Sequence, residues 1–364
     1  MKTGIDAHVL GTRAGGNETY MRALVQALAA HAPDADIAVF LNPGHQEPGL
    51  PFPAFPLPTR SSYKRMLYVL PRLCRQVRLD LVHIQYTAPL RRPCPYVVSL
   101  HDLVAFHFPG TMPLADRCRL RALTPFTVRH AARIFVLTRA VQRDIQTRYG
   151  IPEDRFDLVQ PPVDMAFRPA ADPELLDRVR RKYRLPARFV LYVGLIQPRK
   201  NLVRLAQAFA RLQRHGLDHA LVITGKRAWL YQEAVDAIAR LDLQDRLIFT
   251  DYVPREDLPA IYAAADAFAY VSLYEGFGIP VLEALACGTP TLASTDAALA
   301  EVAGGTAHHV DPRDVDAIEQ GLIHVLTDGD FRERARREGP LRAARFTPER
   351  MAAAALDGYR RAVE

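Results

Sequence analysis

VSLYEGFGIPVLEALACGTPTLAS, residues 271–294, is the stretch that decides the fold. It reads as a buried strand, a glycine-bearing loop, a helix opening at Pro280, and a second short apolar strand after Gly288. Proline suits the first helical position, where its missing N–H costs nothing. A strand, loop, helix and strand in this order is the repeating unit of a parallel α/β sheet. Two carboxylates, Glu275 and Glu283, bracket the loop with seven residues between them.

Gly276 and Gly278 leave the backbone bare, and the N–H groups of Phe277, Gly278 and Ile279 fall at the helix start, where anions and hydroxyls are held. Glu283 suits the vicinal diol of a sugar ring, because one carboxylate accepts two hydrogen bonds. Glu275 suits sugar hydroxyls or positive charge developing at an anomeric carbon. A solvated loop followed by an acid at a helix N-terminus places carboxylates in the same way. What separates the two readings is the surrounding chain.

Upstream, RFVLYVG is a strand, IQPRKN a loop and LVRLAQAFARLQRH a helix; HALVITG is the next strand, WLYQEAVDAIARL a helix and RLIFTDYV a strand. Arg199 and Lys200 stand in the loop after the first of these strands, and Lys226 follows the second. Basic residues at neighbouring strand ends suit a diphosphate whose charge must be stabilised as it leaves. No DxD and no Asp/His cluster at metal spacing accompanies them, so protein cations rather than a metal are expected to do that work. Further on, VDAIEQGLIHVLT, FRERARREG and PERMAAAALDGYRRAVE read as three helical segments with no strand between them.

The first half repeats the pattern. A strand over 2–10 leads into GTRAGGN and a helical stretch, so Gly15 and Gly16 are placed to admit an anion or merely to turn the chain. Residues 42–60 are proline-rich and read as an exposed loop. Residues 61–80 read as a basic amphipathic helix interrupted at Pro71, with Lys64, Arg65, Arg72, Arg75 and Arg78 forming a face for anionic lipid or simply for solvent. LVHIQ and YVVSL are buried-strand runs, and the second ends in His101 and Asp102, at the edge where such sheets hold ligands. Thr138 ends RIFVLT and is placed to cap the next helix. The aperiodic QPPVDMAFRPAADPE is the linker, so the expected domains are 1–169 and 170–346, two doubly wound parallel sheets with a cleft between them.

The 364 residues are 49% apolar, enough for two folded domains. Without a membrane-length apolar run or a signal-peptide pattern, a cytoplasmic protein is expected. Cys74, Cys94, Cys118 and Cys287 are scattered, which speaks for reduced thiols and against a zinc site. The net charge of +7 lies in the first half, where residues 1–170 hold 21 Lys+Arg against 13 Asp+Glu. Nucleic acid, a membrane surface and a phosphate-bearing substrate all fit such a bias. A nucleic-acid-binding protein is disfavoured because aromatic and basic residues do not interleave on one surface. A dinucleotide-dependent oxidoreductase is disfavoured because neither first turn carries GxGxxG.

VGLIQPRKN, LVITGK, the block from YVPREDLPAIYAAADAFAYVS through CGTPTLAS, AEVAGGTA, SLHD, FVLT, VQPPVD and FTPERMAAAALDGYRR together resemble a retaining glycosyltransferase of family 4, with two Rossmann-like domains in the GT-B arrangement. The resemblance implies Glu283 on the nucleotide ribose, and Glu275 with the amides of Phe277 and Gly278 beside the transferred sugar. It implies Arg199 and Lys200 on the diphosphate with Lys226 near it, His101 approaching the sugar from the first domain, and Gly15 with Gly16 closing over the phosphates. The final helix, 347–364, is implied to return to the first domain. Leu195 follows Gly194 where many relatives carry arginine, so Arg199 or Lys226 must supply that charge. The wording around LVITGK and HDL is most like bacterial mannosyltransferases. The implied reaction is hexose transfer from a nucleoside diphosphate sugar, GDP-mannose first, to a saccharide or polyprenyl-linked acceptor of lipopolysaccharide or surface polysaccharide, with retention and no metal or other cofactor. A nucleotide-sugar 2-epimerase of the same fold is the rival.

Overall fold

The computed structural model describes residues 1–12, 15–47, 49–169, 172–227, 231–241 and 243–364. The expected domain boundary at 169/170, part of the loop at 11–17 and the start of the helix expected from Trp229 touch the remaining positions and so lie partly outside the described residues. The chain divides into two compact units. One comprises Met1–His107, Leu114–Pro162 and Phe346–Glu364; the other comprises Phe108–Pro113 and Val163–Arg345.

The first unit holds a parallel sheet of seven strands: β1 (Thr3–Asp6), β2 (Ile37–Leu41), β3 (Ala54–Pro56), β4 (Leu81–Gln85), β5 (Tyr96–Ser99), β6 (Arg133–Val136) and β7 (Phe156–Leu158). Their order is β3-β2-β1-β4-β5-β6-β7, so the sequence order reverses direction between β1 and β4. The second unit holds six parallel strands: β8 (Phe189–Val193), β9 (Ala220–Thr224), β10 (Leu247–Asp251), β11 (Ala267–Tyr270), β12 (Thr291–Ser294) and β13 (His308–Val310). They run β10-β9-β8-β11-β12-β13, with the reversal between β8 and β11. Each unit is a doubly wound, Rossmann-like α/β sheet.

The central strands are continuous apolar runs because both faces are covered by helices; every residue of FVLYV, ALVIT and AFAY is buried. Helix ends follow local chemistry. Thr138 accepts from the Val141 N–H at the start of helix Arg139–Tyr149, and Gly150 closes it in the left-handed conformation. The final helix, Pro348–Arg361, belongs to the first unit and packs on helix Gly16–His31 and on β6 and β7. Its Tyr359 hydroxyl hydrogen-bonds His83 Nδ1 (2.7 Å), and its Arg361 reaches Asp157 (2.5 Å), which Arg133 also holds at 2.8 Å.

Several expectations are corrected. The loop expected over 42–60 contains β3, which pairs with β2 as a short edge strand, a place that tolerates its proline. A strand unmarked in the sequence, β13, precedes the three helical segments, which follow with no strand between them as expected; its three residues, two of them histidines, are too few and too polar to register as periodicity. The helix over 62–77 is not interrupted at Pro71. A π-helical turn, Arg65–Val69, precedes the proline and widens the backbone where a ring would otherwise strike the carbonyl four residues back. Arg65 does not join the basic face: it is buried, with Nε 3.2 Å from Asp6 Oδ2. Cys74 and Cys94, distant in sequence, hydrogen-bond thiol to thiol, which pulls the Cys94 thiol down and pushes the Cys74 thiol up.

Candidate active site

A buried polar group of the second unit forms where β8 and β11 lie side by side, at the point of strand reversal where open α/β sheets bind ligands. The loop after β8 makes a 3₁₀ turn, Pro198–Lys200, ended by Asn201 in the left-handed conformation (φ 61°). Asn201 Nδ2 donates to the carbonyls of Val271 (3.0 Å) and Pro312 (2.6 Å), and Leu273 N–H donates to the Arg199 carbonyl (3.0 Å). The loops after β8 and β11 are thereby fastened to each other.

The consequence is a buried charge cluster. Lys200 Nζ donates to Glu275 Oε1 (2.6 Å) and Tyr270 Oη (2.5 Å), while Arg199 Nη1 lies 3.1 Å from the same carboxylate and donates to the Tyr274 carbonyl. Burial alone pushes the Glu275 carboxyl up, but Arg199 and Lys200 outweigh it and hold it at about 2, so it is ionised at neutral pH. Two cations thus face one carboxylate. The Glu275 N–H also donates to Asp296 Oδ2 (3.3 Å), whose other oxygen caps helix Ala297–Ala303.

Glu283 sits in helix Ile279–Ala286, which opens at Gly278 (φ 94°). A Cβ at Gly278 would fall 2.3 Å from Leu299 Cδ2, so both backbone angle and space demand glycine. Glu283 accepts from Tyr262 Oη (2.9 Å) and lies 3.6 Å from Arg255 Nη1. Burial dominates and raises its carboxyl to about 7, with Arg255 and Tyr262 opposing the rise. The two acids of the motif thus occupy opposite electrostatic environments: Glu275 is locked into ion pairs, and Glu283 is poised to titrate. Phe277 is buried, and Ile279 is part-exposed at the helix start. Lys226, partly exposed, lies over the Tyr252 ring at 5.2 Å and not in the buried cluster.

In the first unit, Gly15 adopts φ 65° and ψ −134°, a conformation open to glycine, and caps helix Gly16–His31. The Glu18 carboxylate turns back to accept from the Gly11 N–H (3.0 Å). His101 follows β5 and is 5% exposed; its ring packs edge-on against Tyr20 (4.5 Å) and against Tyr86 (5.4 Å). Burial lowers its pKa to about 3, so the ring is neutral.

Sequence reasoning passed over Tyr262, Tyr270, Asn201, Arg255 and Asp296. Each acts through a partner far along the chain, and no local pattern marks such a residue. Among the described residues, no group of three or more His, Cys, Asp and Glu is gathered to hold a metal ion.

Residues 177–342 match the family described as Glycosyl transferases group 1, and residues 14–167 match Glycosyltransferase Family 4. The O-antigen chain mannosyltransferase B of Escherichia coli is 32% identical over 267 residues, 72% of this chain and 70% of that protein. A GDP-mannose-dependent alpha-(1-6)-phosphatidylinositol monomannoside mannosyltransferase of Mycolicibacterium smegmatis is 35% identical over 190 residues, 49% of this chain and 46% of that one. Among solved structures, the sucrose-phosphate synthase of Thermosynechococcus elongatus superposes with a TM-score of 0.80 at 21% identity, covering 99% of this chain and 98% of that one. The chain belongs to the family 4, group 1 glycosyltransferases and has mannosyltransferase relatives.

Proposed function

We propose that the protein transfers mannose from GDP-mannose to a saccharide or polyprenyl-linked acceptor in the assembly of lipopolysaccharide or a related surface polysaccharide. The observation that carries this reading is the buried Arg199–Glu275–Lys200 cluster, two cations on one carboxylate at the strand-reversal point of the second sheet. A diphosphate meets two preorganised cations there, and a charge stabilised in a buried site needs little reorganisation as the bond to it breaks. Arg199 and Lys200 take that charge without a metal. Glu283, in the middle of its short helix, receives the ribose diol, and its titration near neutrality couples ribose binding to pH.

Retention is part of the proposal, and the state of Glu275 supports a route to it without a covalent intermediate. A carboxylate shared by two cations at 2.6 and 3.1 Å is a poor nucleophile and a good partner for sugar hydroxyls. In a retaining transfer without such an intermediate, the acceptor hydroxyl attacks from the face the diphosphate leaves, and the departing phosphate oxygen takes its proton. The choice of mannose rests on the mannosyltransferase relatives, one of which is named for GDP-mannose.

The proposal extends to an anionic membrane surface. Tyr63 (59% exposed), Leu67 (43%) and Tyr68 (71%) stand out from the 62–77 helix, with Lys64, Arg72 and Arg75 exposed among them. Aromatic and apolar tips flanked by cations suit the headgroup region of a bilayer. Among the described residues no helix is long and apolar enough to cross a membrane.

A thermal-shift screen of GDP, UDP, ADP and their sugars tests the donor reading. A ligand at one hundred times its Kd adds about 2.7 kcal/mol to the native state. GDP and GDP-mannose are expected to raise the melting temperature most. No response to any nucleoside diphosphate sinks the transferase reading.

A further inference from the structure

Resting on the transferase reading above, we propose that Gln85 and His101 form a saccharide-hydroxyl subsite in the first unit, with Gln85 the residue that selects the acceptor.

Gln85 ends β4, beside β1, where the strand order of the first sheet reverses. It is 7% exposed, yet neither its Oε1 nor its Nε2 has a hydrogen-bond partner among the described residues. His101 Nε2 is likewise buried without a partner among the described residues. Buried amides and imidazoles are ordinarily paired, because leaving them unpaired costs stability. Two such groups at one end of one sheet are what a ligand-reading site requires and what a finished core avoids.

The two groups share a face. In the parallel register Gln85 stands opposite Ser99, and His83 precedes Gln85 by two residues, so strand alternation points His83, Gln85 and Ser99 the same way. Two contacts agree: His83 Nε2 hydrogen-bonds Ser99 Oγ (2.8 Å), and Tyr20 Oη reaches that same Oγ (3.0 Å) while its ring abuts His101. Along this face, His83 is fully satisfied by Ser99 and Tyr359. The unsatisfied groups come only at the C-terminal edge, where open α/β sheets meet their ligands. Directly after Gln85 the chain turns sharply at Tyr86, a bulky residue at φ 60°, whose ring packs on His101 and whose hydroxyl lies 3.4 Å from both Asn17 and Asp102.

An amide offers one donor group and one acceptor, which matches the vicinal hydroxyls of a sugar, and a neutral imidazole nitrogen matches a third hydroxyl. The hydroxyls come either from the acceptor or from the sugar being transferred, and His101 is the member nearer the latter by resemblance. Gln85 lies on the adjacent strand and is assigned to the acceptor.

The test compares the full chain with its Gln85→Met and Gln85→Asn variants. Methionine keeps the volume and removes both polar atoms. Its apo melting temperature is expected to equal or exceed that of the native protein, since no bond is lost; a clear fall would show a structural amide and overturn the proposal. In transfer assays the acceptor KM is expected to rise about 10- to 100-fold, as for the loss of two neutral hydrogen bonds, with donor KM unchanged. A rise in donor KM alone assigns the hydroxyls to the transferred sugar and overturns the acceptor assignment. Independently of nucleotides, saturation-transfer NMR with methyl α-mannoside is expected to give a signal with native protein that Gln85→Met loses. A signal retained in that variant refutes the subsite. A signal lost in the variant from a native protein that answers no nucleotide sugar refutes the transferase reading and leaves the subsite standing.

Discussion

Replacing Glu275 with glutamine tests the charge cluster most directly. The substitution keeps shape and removes the negative charge that Arg199 and Lys200 share, leaving two buried cations without that partner. The native carboxyl falls from its ordinary 4.5 to about 2 on folding, which at 1.36 kcal/mol per pH unit is about 3 kcal/mol of stability. The sign is that of a depressed acid: this stability is present above pH 4.5 and is lost as pH falls through about 2. Glu275→Gln lacks it at every pH, a loss consistent with the roughly 3–5 kcal/mol for breaking a buried ion pair from one side. For a unit of this size the melting temperature should drop about 6–12 °C at pH 7. Inorganic pyrophosphate supplies replacement negative charge, so it should stabilise the variant more than it stabilises the native protein. Calorimetry at pH 7, with and without pyrophosphate, reads both effects, and transfer activity should be lost in the same variant. A variant that melts within about 2 °C of native, and gains no more from pyrophosphate than native does, would refute the reasoning.

Two further outcomes follow from the same chemistry. Glu283, raised from 4.5 to about 7 by burial, adds stability that is fully present below pH 4.5 and is lost as pH rises through about 7; Glu283→Gln should therefore raise the apo melting temperature at pH 8, by the equivalent of up to about 3 kcal/mol, while weakening GDP binding in calorimetric titration. A variant less stable than native at pH 8 would show that the carboxylate is compensated. Sedimentation with vesicles containing anionic lipid should capture the native protein at low salt and release it at high salt, and Arg72→Glu with Arg75→Glu should abolish capture; equal capture by neutral vesicles would contradict the assignment of that face.

Much of the molecule is legible in the order of its residues, because strands, helices and their ends are set by local pattern. The apolar runs FVLYV and ALVIT, the cap at Thr138 and the glycine at 278 each answer to chemistry within a few positions. Two successive strand and helix arrays already imply two parallel sheets. The short β3 and β13 escape this reading, since three residues carry too little pattern to stand out from a loop.

The charge of each candidate group is another matter, because it depends on what the sheets bring beside it. Glu275 and Glu283 look alike in the sequence, two acids eight positions apart. Only folding sets Lys200 and Arg199, 75 and 76 positions away, against the first, and buries the second behind Tyr262. That is why one is held at about 2 and the other rises to about 7. Arg65 turns from a surface cation into the partner of Asp6 for the same reason. Gln85 is unremarked in the strand LVHIQ; it acquires meaning when β4 takes its place beside β1 and leaves a buried amide unpaired at the sheet edge. The sequence by itself determined which segments are strands and helices and the family to which they belong. The tertiary structure decided which side chains share a dielectric environment and a partner, since those properties arise from distances across the fold and not along the chain.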